Sequence, residues 1–344
     1  MFRTNVIAFA SSLALALSSL SGGTQAKGSA DVAAFRDLIA TLARQHDFSG
    51  VAYVRIDGIE FLRTAWGDAN RELGVPMTTS KIFAIGSRSM DFTIAGILML
   101  VERGKLTLTT TLAEVFDAVP EDKAGISVEQ LLRGQSGLHD FPALASDWDP
   151  DLAWIDRAEL ERRALAQELL FEPGSDHASS HTAYGLLAAI IERISGQDYF
   201  EFLKANIFDP AGMRTTAEYG TATDQRVPDF AAGGGPARMG VPNIPPNWGR
   251  VSWLVRGSGG MYSTLDDLLR FYHFVRSGRA LSEPYGQVFR DDNVSLDGSD
   301  RGFEIFSASD EGGSDQVLVM VNVPGGGEAL RLLAKAGEEM VARN

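Results

Sequence analysis

The stretch IGSRSMDFTIAGILMLVERGKL, residues 85–106, carries the clearest chemical content of the chain. Ser87 follows a glycine and opens a long apolar segment, the placement of a nucleophile presented at the start of a helix. A serine hydroxyl attacks a carbonyl when a base removes its proton, and a side chain three residues on lies on the same helical face. That position holds Met90, a thioether and not a base. Arg88 has two readings, a fork for a substrate carboxylate or, more plainly, a solvated surface residue. His177 and His181 stand four apart, the spacing of a metal pair on a helix. They precede the predicted helix and no third ligand is evident, so no metal and no cofactor is expected. His46, His139 and His273 join no constellation and read as structural.

The elements that must hold Ser87 follow from periodicity. Residues 31–46 have helical spacing, and SGVAYVRI and IEFLRTAW read as strands around Asp57–Gly58, a hairpin signal. From 87 to about 210 the pattern is mostly helical. SVEQLLR has a capping-box pattern at Ser127, with Glu129 and Gln130 at a spacing that reads as imperfect, and TAYGLLAAIIERISGQ is an amphipathic helix ending at Gly196. Residues 220–256, rich in Gly, Pro and Asn, read as a long surface loop; their GGG lacks the preceding strand of a phosphate cradle. The acidic DWDPDLAWID, 147–156, reads as a solvated loop with aromatic anchors. STLDDLLRFYHFVRSG is a capped helix, GFEIFSAS and QVLVMVNV are strands, and EALRLLAKAGEEMVAR is a closing helix. This order predicts an α/β chain with one sheet assembled from both ends and a helical lobe inserted into it.

Bulk properties narrow the function. The 344 residues are 44% hydrophobic and 22% charged, with a formal net charge of −14, which disfavours nucleic acid or an anionic membrane as partner. There is no cysteine, which excludes disulfides, thiolate chemistry, Cys-ligated zinc and a Cys-linked lipid anchor. Residues 1–26 combine Arg3, the apolar VIAFASSLALAL and a small residue ahead of Lys27, the layout of a signal peptide. No other stretch reaches the roughly 18 apolar residues of a membrane span. A periplasmic or secreted product, residues 27–344, is expected. Nothing in the sequence speaks to oligomeric state.

The order of elements, with KIFAIGS, LLRGQSGLHDF, FEPGSDHASSHTAYGLLAAIIERISGQ, IFDPAGM, GSGGMYSTLDDLLRF and LDGSDRGF, resembles the serine β-lactamase and DD-peptidase superfamily. Class C β-lactamases, and the esterases and D-amino-acid peptidases of the same fold, are the nearest likeness, over about residues 30–340. The resemblance implies a β-lactamase/transpeptidase-like fold: an antiparallel sheet flanked by helices from both termini, with an inserted helical domain. The sheet part would be 27–86 and about 250–344, the helical part and loop about 87–249.

It also implies three motifs around one cleft, and each departs from the family pattern. S-x-x-K becomes Ser87-Arg88-Ser89-Met90; Y-x-N becomes Ser179-Ser180-His181. For K-T-G or H-x-G, DEGG at 310–313 is one frame. SLDGSDRGF fits better because GF then begins the next strand, giving Leu296-Asp297-Gly298. The lysine, tyrosine and third-motif cation are thus replaced by Met90, Ser179 and Leu296. By family position the backbone N–H groups of Ser87 and Ser299 would form the oxyanion hole, with Gly298, Ser180 and Arg88 lining the pocket. His181, at the asparagine position, is an alternative base for Ser87, oriented by Asp176 or Asp297.

Three functions follow. A non-acylating relative would keep the cleft between lobes for a small acyl, ester or peptide ligand. A low-rate serine hydrolase would use Ser87 with His181 as improvised base. An interaction protein would use a surface patch and leave the cleft vestigial. A covalent adduct on Ser87 separates the second from the others, and ligand binding that raises the melting temperature separates the first from the third.

Overall fold

The computed structural model describes residues 29–342 except 47, 146, 148–152, 222–223, 235–241, 291–292, 300 and 323–327. The proposed signal segment lies outside the described residues. The elements that bear on the site are, in chain order, helix α1 (29–46), strands β1 (Ser49–Ile56) and β2 (Ile59–Trp66), β3 (Ile82–Ala84), and helices α2 (Met90–Glu102) and α3 (Val128–Leu132). Then come α4 (Arg157–Ala166), α5 (His181–Ser195) and α6 (Tyr199–Leu203). Strands β4 (Ala217–Glu218) and β5 (Met261–Thr264) precede α7 (Leu265–Arg276). Last are β6 (Asn293–Ser299), β7 (Phe303–Ser309), β8 (Gln316–Asn322) and α8 (Glu328–Ala342).

The main sheet is antiparallel with order β2-β1-β8-β7-β6, so both ends of the chain build it. Asp57 and Gly58 turn the β1–β2 hairpin at φ 51 and 75, as a two-residue hairpin with two positive φ angles demands. β1 is buried along nearly its whole length because the sheet is covered on both faces. Alternate residues feed two cores: Val51 and Tyr53 on one side, Ala52, Val54 and Ile56 on the other. α1 and α8 cover the second face through Phe35, Ile39, Leu330 and Leu333. Gly337 lets α8 lie this close, since a Cβ there would meet the Phe306 ring at 2.7 Å.

The other face carries the helices. α2 is apolar all round and is buried accordingly. Phe92 sits edge-on between Phe208 and Phe271, at 5.1 and 4.7 Å between ring centroids. Its Thr93 hydroxyl meets Tyr199 Oη and the Gly257 carbonyl, both at 2.6 Å. The capping box before α3 is regular: Ser127 Oγ accepts from Gln130 N and Gln130 Oε1 accepts from Ser127 N, so Gln130 is the partner and the spacing is the standard one.

The segment 220–256 departs from the surface-loop expectation. Phe230, Ile244, Trp253, Leu254 and Arg256 are buried. Ala231 N donates to Ile82 O and Ala232 N to Ala69 O, so neighbouring strands satisfy a backbone whose own regular structure, among the described residues, is two short 3-10 turns, Val227–Asp229 and Pro245–Trp248. Its scattered apolar residues, set among glycines and prolines, have no period by which to announce burial.

Candidate functional site

A small sheet of order β3-β5-β4 fixes the serine. β3 pairs with β5, and Ile85 N adds a bond to Met261 O, before the chain turns through one 3-10 turn, Gly86–Ser89, into α2. Ser87 is half-buried on that turn. Ser89 is fully buried and donates to the Gly86 carbonyl at 2.9 Å, which stiffens the turn. Met90, half-buried, is the first residue of α2 and occupies the place one turn on from Ser87. Among the described residues, no hydrogen bond reaches the Ser87 hydroxyl.

Arg88 is the largest departure from expectation at the site. Only 3% of it is exposed, so it is not a solvated surface residue, and its guanidinium is engaged within the protein. Nη2 lies 2.5 Å from Asp297 Oδ2 on β6, and Nη1 lies 3.1 Å from Tyr272 Oη on α7 and 3.5 Å from Asp91 Oδ2. Tyr272 Oη in turn donates to Asp91 Oδ2 at 2.5 Å. Burial alone would push the guanidinium down, but Tyr272, Asp297 and Asp91 outweigh it and hold Arg88 above its ordinary range. Arg88 is therefore a fixed cation. Burial pushes Asp297 up while Arg88 pulls it back. Burial also raises Tyr272, so its proton stays on the ring oxygen.

The third motif is corrected in its facing. Asp297 pairs in register with Ile305, which belongs to the core on the helical side, whereas Leu296 pairs with Phe306, which belongs to the core under α1 and α8. Cross-strand partners share a face, so β6 turns Asp297 toward the serine segment; Leu296 stands on the alternate face, half exposed. Gly298 and Ser299 complete the strand opposite Glu304 and Phe303, and GF does begin β7. DEGG forms a separate turn, Glu311–Gly313, between β7 and β8.

The second motif opens α5. Ser179 is exposed. Ser180 is not free for a ligand: its hydroxyl caps α5 by accepting from Ala183 N at 3.0 Å and donates to His139 O at 2.8 Å. His181 is the first residue of α5, its ring stacked on Phe141 at 4.1 Å with planes 12° apart. The carboxylate beside it is Asp140, not Asp176 or Asp297: Oδ1 lies 4.0 Å from Nε2 and accepts from the His181 N–H at 3.2 Å. Asp140 directly precedes Phe141, so one short segment supplies both partners. Burial lowers the imidazole pKa below its ordinary 6.5, with Asp140 opposing, which favours the neutral ring at pH 7. Nδ1 is buried and, among the described residues, has no hydrogen-bond partner. His177 is exposed, and the described residues hold no metal-binding group of three. Asp147, in the acidic loop, is tied to Arg163 at 2.8 Å.

Reasoning from sequence missed Asp91, Tyr272, Asp140 and Phe141 as members of the site. Asp91 carried a signal, three residues beyond Arg88 on one helical face. Tyr272 lies 184 residues away and carried none.

The sequence matches the Beta-lactamase family over residues 35–328. The chain belongs to the β-lactamase family. A penicillin-binding protein of Bacillus subtilis (strain 168) is 30% identical over 245 residues, 68% of this chain and 53% of the relative. A D-aminopeptidase of Brucella anthropi is 28% identical over 255 residues, 72% of this chain and 46% of the relative. The chain thus spans about half the length of these relatives. Among solved structures, the D-amino acid amidase from Ochrobactrum anthropi SV3 complexed with D-phenylalanine superposes with TM-score 0.72 at 21% identity, over 90% of this chain and 99% of that one. A class C β-lactamase from Rhodobacter sphaeroides does so with TM-score 0.72 at 16% identity, over the same shares. These likenesses establish the β-lactamase/transpeptidase fold. No helix among the described residues is long and apolar enough to cross a membrane.

Proposed function

We propose that this β-lactamase-family chain keeps its cleft as a binding site for a small acyl, ester or peptide ligand and does not carry out efficient acyl transfer. One observation carries this reading. The place a base would occupy beside Ser87 holds the Met90 thioether, and the nearby cation, Arg88, is permanently protonated and locked between carboxylates. A missing general base costs about 10²–10⁴ in rate. Disabling a serine–base unit has cost up to about 10⁶. Backbone donors at Ser87 and Ser299 would survive the side-chain changes, so slow turnover of activated esters is compatible with the reading. The D-aminopeptidase and D-amino acid amidase relatives support an amino-acid-derived ligand. We further take residues 1–26 as a signal peptide directing residues 27–344, one β-lactamase-related unit, to the periplasm or outside the cell.

A second reading rests on His181. Its imidazole is neutral at pH 7 and its Nδ1 has no partner among the described residues, the state required of a base. In that reading Ser87 acylates slowly with His181 taking the proton.

The test is intact mass of the mature chain after a penicillin, an activated ester and a fluorophosphonate, beside Ser87→Ala. The proposal expects no Ser87-dependent adduct under conditions that label an active relative, together with saturable ligand binding that raises the melting temperature. A rapid adduct absent from Ser87→Ala sinks it. His181→Ala then decides whether the histidine is the base.

A further inference from the structure

One hollow on the surface is lined by none of the residues described around Ser87. It measures about 480 Å³ and opens between the β1–β2 hairpin, the turn Asp209–Gly212 and α7. α7 sends Tyr272 toward Arg88 and presents Asp266, Leu269, Arg270 and His273 to this hollow.

Its charges are unevenly committed. Asp266 meets Arg63 at 2.6 Å, an arginine that also grips Glu60 at 3.0 Å, and Asp209 meets Lys204 at 2.7 Å, so each lining carboxylate has a cation beside it. Arg270 gives one nitrogen, Nη1, to Asp267 Oδ1 at 2.9 Å. The other oxygen of Asp267 already accepts the N–H groups of Arg214, Thr215 and Thr216 at 3.0, 2.8 and 3.1 Å. That carboxylate is shared among several donors, and Nε and Nη2 of Arg270 have no described partner. Arg279 lies over the Phe274 ring, 5.7 Å from its centroid, and meets no described carboxylate. Two guanidiniums with free donors therefore line one hollow in a chain of net charge −14. Leu269, Phe274, Pro210 and Ala211 supply an apolar wall beside them.

We infer that this hollow binds a small organic carboxylate with an apolar body, its head held by Arg270 and Arg279. A guanidinium matches a planar carboxylate with two parallel N–H donors, which the spare Nε and Nη2 of Arg270 can supply. The aliphatic and aromatic wall takes the rest of the ligand along an open face of the hollow.

The experiment titrates phenylacetate, phenylacetamide and inorganic phosphate, at matched ionic strength, into the full chain and follows binding by calorimetry. Phenylacetate binds saturably, and the double variant Arg270→Ala/Arg279→Ala weakens it by about tenfold or more. Ser87→Trp, which crowds the cleft, leaves its affinity unchanged. Equal binding of phenylacetamide or phosphate, or unaltered affinity in the double variant, overturns the proposal. So does loss of binding in Ser87→Trp, which would place the probe in the cleft. Both arginines are exposed, so the variants keep the fold, checked by an unchanged melting curve; Arg270→Lys, which keeps charge and loses the fork, falls between.

Discussion

Arg256 and Arg88 are both withdrawn from water, at 8% and 3% exposure, yet their surroundings differ in kind. Arg256 is fully answered. Nε and Nη2 grip both oxygens of Glu218 at 2.7 and 3.0 Å, Nη2 reaches Asp198 at 3.0 Å, and Nη1 reaches Glu192 at 3.4 Å. Its guanidinium carbon lies over the Tyr199 and Trp253 rings, 5.7 and 5.0 Å from their centroids. It ties β4, α5 and the start of α6 together. Arg88 is answered in part: its contact with Asp297 is close but lacks hydrogen-bond geometry, and Nε has no partner among the described residues. A fully satisfied buried network rigidifies, whereas a buried donor left without a partner costs stability. The difference teaches that burial of an arginine does not by itself imply a complete set of partners: Arg88 is held by the closeness of its carboxylates, Arg256 by a full hydrogen-bonded clamp.

The largest effect separating the two networks comes from Arg256→Met. It strands the buried Glu218 carboxylate, and the expected loss is about 3–5 kcal/mol in chemical unfolding, as for other broken buried pairs. Arg88→Met leaves Asp91 and Asp297, which are more accessible, and the loss is smaller, about 1–3 kcal/mol. Adding Asp297→Asn to it restores part of that loss. A double-mutant cycle without coupling between positions 88 and 297 would break the comparison, because the 2.5 Å contact would then contribute nothing.

The smallest effect concerns His181 and pH. Its folded pKa lies below the ordinary 6.5, so between those two values the unfolded chain binds a proton that the folded chain refuses. The stability contribution is present above pH 6.5 and is lost as pH falls through the folded value. His181→Phe, which can keep the stack on Phe141, flattens melting temperature against pH in that window; an unchanged slope would contradict burial of the ring.

Much of the fold was legible because its signals are local. The Asp57–Gly58 turn, the run from Met90 and the stop before Gly196 each fix an element from a few neighbouring residues. Ser87 was legible for the same reason. Facing and partnership were not. A one-residue difference on β6 decides whether Leu296 or Asp297 meets the serine segment, and alternation alone does not say which face is inward. Beyond Asp91 at the start of α2, the partners of Arg88 come from α7 and β6, and the carboxylate beside His181 comes from a loop 41 residues upstream. Such pairings depend on how elements pack, and neither residue type nor spacing encodes them. Arg88 looked like surface because isolated arginines usually are.

The sheet order has a consequence for how the chain reaches this state. β1 is flanked by β2, which follows within a few residues, and by β8, where Ser49 pairs with Asn322. During synthesis one edge of β1 therefore has no native partner until residues 316–322 have emerged. The helices between can assemble from contacts nearer in sequence, but the strand first made waits for the strand made last. That long closure slows the final step and leaves an apolar edge open to wrong partners meanwhile.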